Sequence, residues 1–298
     1  MLQAWQAIAL AAGAVLLLAL WVRREHGGQA ALVMAGLAAA ALACVWVAYE
    51  VVPVEQWRKE SLPVGLAIFA LPALAGAGIA VIQARSEGRR LRGTEALYLA
   101  LLWATPAVLL YVSQRRPFGS ELADLLWWAG SSLAIYVFVP VAYARIAGQS
   151  IRGYGLSARF VRSEAALIAL IAPVALVIVW LASADQRFID TYPFYGGDGW
   201  SLLLFEAAYG ATFVALEFFF RGFLVFAGQP VLGVHAVPVM AFAYCLLHLG
   251  KPMPEAVSSL IGGLILGYLA LRLRSILAGV VAHLTIAWGM DAFVLSRS

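Results

Sequence analysis

Four charged or titratable side chains, Glu217, Arg221, His248 and His283, lie within long apolar stretches of the C-terminal third of the chain. A charge at mid-bilayer costs roughly 2.5–3.5 kcal/mol on insertion scales, so such residues usually face a partner or a wet cavity. Carboxylate and imidazole together are the groups of general acid–base chemistry. Glu217 and Arg221 are four residues apart in Leu216-Glu217-Phe218-Phe219-Phe220-Arg221. On a helix this spacing places them on one face, with the acid before the base, which favours an ion pair. The pair either orients its helix or holds a site. Because buried pairs add little net stability, the second role is reasonable. At 1.5 Å per residue, Glu217, His248 and His283 fall on the order of 15, 21 and 12 Å from a membrane face, depths that permit one shared site.

Two more acids are candidates for supporting roles. Glu255 follows Pro254 in the first turn of a helix, where a carboxylate suits the positive end. Asp291 is eight residues after His283 on roughly the same face, placed to cap its helix or pair with Lys251. Lys251 otherwise snorkels to the interface. Glu206 stands three helical turns before Glu217 and marks the outer end of the same stripe. Zinc needs three or four ligands, and there is no HExxH. A site from two His and Glu217 stays open without a spacing signature, and no cofactor is expected. Cys44 and Cys245 lie in apolar runs and read as small fillers.

The elements that must position these groups are transmembrane helices. The chain of 298 residues is 63% hydrophobic and only 12% charged, about half the charge of a soluble domain. Apolar runs long enough to cross about 30 Å of hydrocarbon fall at 4–22, 29–52, 64–83, 95–112, 122–144, 163–183, 200–227, 232–249, 254–272 and 276–295. The expected fold is therefore all-α, a polytopic bundle of about ten spans, with 95–112 (Pro106) and 232–249 (Pro238) the weakest. Loops after odd-numbered spans hold twelve Lys and Arg against seven in the even loops and C-terminus, which places the odd loops in the cytoplasm. The first span lacks a basic n-region and is followed by Arg23 and Arg24, so it reads as a retained anchor.

The net charge of +4 belongs to loops that hold topology and touch anionic lipid. No basic stripe coincides with a soluble domain, so nucleic acid is not an expected partner. A basic, Gly-containing stretch at 145–163 separates five spans nearly free of buried charge from those with polar interiors. The Tyr- and Phe-bearing loop 184–199 forms either an interfacial aromatic belt or a lid. Ser259, Gly263 and Gly267 at four-residue spacing predict close helix packing, which would bring His248 and His283 into range.

With these residues in place, the chain resembles the CAAX protease and bacteriocin-processing (CPBP) family of intramembrane proteases. That family carries Glu-Glu-x-x-x-Arg, Phe-x-x-x-His and His-x-x-x-Asn/Asp motifs on successive core helices. Here the first reads Leu216-Glu217…Arg221 followed by Gly222, and the second Tyr244…His248 with an aromatic in place of Phe. The third keeps His283 but has Ala287 at the Asn/Asp position. The resemblance implies a protease core at 161–298 and an accessory module of about five spans at 1–160. It also implies Glu217, Arg221, His248 and His283 as catalytic-site residues.

In the family the first Glu activates water with the second-motif His, and Leu216 cannot do this. Either Glu217 or Glu255 substitutes, or the fold persists without peptidase activity. The leading expectation is an intramembrane peptidase of the cell (inner) membrane. Glu217 or His248 would activate water, Arg221 would hold Glu217, and His283 would stabilise the oxyanion. A cavity open to the cytoplasm would admit water. Its partners would be membrane lipid and a peptide or membrane-protein substrate. The rival readings are an inactive scaffold that binds membrane partners and a proton-coupled transporter, against which stands the lack of paired repeats or broken helices.

Overall fold

The computed structural model describes residues 4–52, 61–156 and 162–297. Arg58, Lys59 and Arg159, three of the loop charges in the topology count, lie outside them. No strand occurs among the described residues. Nine of their helices are long and apolar enough to cross a membrane, and the bent pair Leu62–Ile68 and Ala70–Ser86 passes the same test as either a broken span or a re-entrant loop. The chain is thus an all-α, integral, multi-pass membrane protein.

The helices are α1 (Ala4–His26), α2 (Gly28–Trp46), α3 (Leu62–Ile68), α4 (Ala70–Ser86), α5 (Gly93–Ser113), α6 (Glu121–Ile146), α7 (Arg162–Ala182), the short α8 (Gln186–Ile189), α9 (Gly199–Glu217), the single turn α10 (Gln229–Leu232), α11 (Ala236–Leu247), α12 (Met253–Leu273) and α13 (Leu277–Leu295). Two π-helical stretches extend them, Val47–Val51 after α2 and Phe218–Ala227 after α9.

The two proline-bearing spans behave differently from expectation. Pro106 sits buried inside an unbroken α5. In the eighth span the break falls at Gly233, whose φ of +58° interrupts the helix before Pro238 is reached. Pro238 is the third residue of α11, where its missing N–H removes no intrahelical bond. The third span was read as continuous, but α3 and α4 meet at 47°. The bend makes this segment either a broken span or a re-entrant loop.

Burial sorts the bundle. Of the most apolar stretch of α7 only 12% is buried, against 83% for Gly199–Ala227. The latter threads the middle of the molecule, flanked by α6, α11, α12 and α13. On α12, Cβ atoms added at Gly263 and Gly267 would meet Ala241 at 3.2 Å and Val237 at 2.8 Å, so the small-residue spacing does let α12 lie against α11. One buried apolar cluster contains residues from Ala7 to Ile276, with α1 packed on α12 and α2 on both α11 and α12.

Candidate functional site

Glu217 is the last residue of α9, and the chain then winds with the wider i→i+5 pattern through Phe218–Ala227. Such π-helical turns are rare and recur at functional sites. Every side chain of this stretch is buried. Arg221 Nη1 lies 3.0 Å from Glu217 Oε1, with the two side chains 1% and 0% exposed. Gly222 lets the loop before α7 approach, since a Cβ there would come within 2.9 Å of the Tyr154 carbonyl.

His283 joins the pair from α13. Its Nδ1 lies 2.6 Å from the same Glu217 Oε1, an ion-pair separation. One turn earlier on α13, a Cβ at Gly279 would overlap the Glu217 carboxylate. The absence of a side chain there is what admits the acid. His283 also stacks on Phe213, with ring centroids 5.6 Å apart.

Tyr244, on α11, ties the cluster together. Its hydroxyl is 2.7 Å from His283 Nε2, and its ring lies 4.3 Å beneath the Arg221 guanidinium. Its carbonyl is 2.9 Å from His248 Nδ1, and the Tyr244 and His248 rings meet edge to face at 4.5 Å. Tautomers follow from these partners. A carboxylate only accepts, so Glu217 offers His283 Nδ1 an acceptor and no donor, and one hydrogen is shared between His283 Nε2 and the Tyr244 hydroxyl. A carbonyl also only accepts, so His248 Nδ1 donates to it, leaving Nε2 with its lone pair and no intramolecular partner among the described residues. The Arg221 nitrogens have no aligned hydrogen-bond acceptor. Their charge is met by Glu217 and by the face of Tyr244, a cation–π contact that strengthens when desolvated.

Beyond His248 the polar side chains continue toward the 184–198 and 248–252 loops. The Tyr192 hydroxyl donates to Glu255, with Oε1 and Oε2 at 3.0 and 2.9 Å, and accepts from Lys251 Nζ at 2.8 Å. Burial and the Glu255 charge hold the Tyr192 phenol well above its ordinary range, so it stays a donor. Lys251 pairs with Glu255 at 3.4 Å and lies over the Phe194 ring at 4.1 Å. Tyr192 and Tyr195 are buried, so the loop's aromatic residues turn inward and do not form a belt. Asp291 does not pair directly with Lys251. Its buried carboxyl faces that of Glu206. This polar file leads to the face that the loop charge count puts outside, opposite to the cytoplasmic opening expected.

The four motif residues thus form a direct trio, Glu217–Arg221–His283, with His248 attached through Tyr244. Glu255 lies within electrostatic reach of His248, while Asp291 belongs to a separate pair with Glu206. Leu216 and Ala287 are both absorbed into apolar surroundings. Leu216 is 7% exposed within the main core, and Ala287 packs with Tyr195, Phe205 and Tyr209. Among the described residues no three His, Cys, Asp or Glu side chains converge as a metal-holding group. Sequence reasoning noticed Tyr244 only as an aromatic replacement. The signal it missed was the added hydroxyl.

A helical membrane bundle with a desolvated Glu–Arg–His cluster at its centre defines a class of proteins that carry acid–base groups inside the membrane. Residues 198–289 match the profile of the type II CAAX prenyl endopeptidase Rce1-like family, which supports the resemblance to the CAAX protease and bacteriocin-processing family over this segment. No curated protein matches the chain, and no solved structure does.

Proposed function

We propose that the protein is an intramembrane endopeptidase in which His248 Nε2 activates the attacking water. The observation that carries this reading is that His248 offers the one imidazole nitrogen of the cluster left free by its neighbours. Glu217 is a poor candidate for the base, because its carboxylate is fully buried and already faces Arg221 and His283. Its role is to hold His283.

In this scheme Nε2 of His248 takes a proton from water, and the hydroxide adds to the peptide carbonyl carbon. The oxyanion is met by the Tyr244 hydroxyl, whose one hydrogen turns from His283 Nε2 to the substrate oxygen as the charge develops. This differs from a direct His283–oxyanion contact, since both His283 nitrogens are occupied. As the C–N bond breaks, the proton on His248 passes to the leaving amine. A positioned base contributes typically 10²–10⁴-fold, and an oxyanion donor about 10²–10³-fold.

The family match over residues 198–289 supports the reaction class, and prenylated CAAX proteins are the substrates the family name points to. The losses at Leu216 and Ala287 support the second reading, an inactive relative that binds membrane partners. Cleavage of a broad peptide library by the reconstituted protein separates the two. The proposal expects cleavage that is lost in His248→Ala and Glu217→Gln. A folded wild-type protein that cleaves nothing would establish the binding protein instead.

A further inference from the structure

The turn that carries His248 is held by a residue more than two hundred positions away. His248, Leu249, Gly250 and Lys251 reverse the chain between α11 and α12, with Gly250 at φ +96°. The backbone N–H of Lys251 closes onto the His248 carbonyl at 3.1 Å. Into this turn projects Tyr49, from the π-helical stretch Val47–Val51. Its hydroxyl donates to the Lys251 carbonyl at 2.6 Å and accepts from the Gly250 N–H at 3.0 Å. One phenol therefore satisfies both a donor and an acceptor of a turn with few internal bonds, at the point where Lys251 is directed to Tyr192 and Glu255.

Tyr49 lies far outside the segment 198–289 that matches the family, on the second of the spans read as accessory. The helix that carries it packs against both α11 and α12. We infer that Tyr49 is a positioning residue for His248, so that the N-terminal helices complete the site and do more than anchor it. This rests on the proposed role of His248 as the base. A ring held by one carbonyl bond and an edge contact can swing if its turn loosens, and displacements of about 1 Å cost up to about 10²-fold in rate.

The test uses full-length protein in bilayers, comparing wild type with Tyr49→Phe, which keeps the ring and removes both bonds. The expected result is a kcat about tenfold lower, with KM within about twofold. The thermal midpoint should be unchanged and hydrogen exchange at the Gly250 amide faster. Tyr49→Gln, which keeps a donor and an acceptor at shorter reach, should recover part of the loss, and it is read in the same way if the Phe variant does not fold. Faster Gly250 exchange with kcat unchanged would overturn the inference. So would an equal loss in both variants. If the wild type cleaves nothing, it is the proposed function that fails. The positioning claim then rests on the His248 imidazole NMR signals: it stands if Tyr49→Phe moves them and falls if they stay put while Gly250 is deprotected.

Discussion

Helix α7 and the Gly199–Ala227 helix make opposite use of apolar sequence. α7 is the more apolar of the two, yet only 12% of its best window is buried, and it turns Leu170, Ile178 and Trp180 outward. Gly199–Ala227 is less apolar and 83% buried. In water the ranking would be reversed. In a bilayer, lipid rewards the greasiest helix at the periphery, while the centre is held by packing and by polar contacts that lipid cannot satisfy. The charges within its apolar spans therefore mark its interior.

The contrast can be broken or sharpened by substitution. The largest effect is expected at His248: His248→Ala should lower peptide cleavage by about 10²–10⁴-fold without loss of folded protein, checked by kcat and a thermal scan in the same bilayers. Next comes Arg221→Met, which leaves the buried Glu217 carboxylate without its guanidinium partner and with only His283 beside it. It should destabilise the protein by about 3–5 kcal/mol, read as a lower unfolding midpoint in detergent. Gly279→Ala drives a methyl group into the same carboxylate and should cost about 1–3 kcal/mol, with the midpoint again the readout. Tyr244→Phe removes one hydroxyl bond and keeps the ring, so the midpoint should move by about 1 kcal/mol or less. kcat should nevertheless fall by about tenfold or more, and the His283 Nε2 resonance should shift. On the outer helix, Leu170→Ala should stay within about 0.5 kcal/mol of wild type. A large loss there would mean that α7 has a protein partner.

Much of this was legible in the sequence because a membrane amplifies the signal. The ten apolar runs correspond to nine helices long enough to cross and one bent pair, and a charge within such a run is conspicuous. Glu217, Arg221 and His283 meet as their spacing and depth predict. What stayed hidden depends on main-chain geometry and on contacts between helices. A π-helical turn leaves no periodicity that ten residues can reveal, so the winding after Glu217 was invisible. The bend between α3 and α4 lies in an apolar run that reads as unbroken. The place of Gly279 was unreadable because the reason for its lack of a side chain is a carboxylate on another helix. Tyr244 and Tyr49 were hidden for a further reason: a tyrosine in an apolar run counts as grease until something shows what its hydroxyl touches.

The central claim is hydrolysis by water activated at His248, and it is tested most directly by running the cleavage in oxygen-18 water. The account predicts oxygen-18 in the new carboxyl group of the product, formed by wild type and lost with His248→Ala. Product without the heavy atom, or labelled product formed equally well without the imidazole, would contradict it.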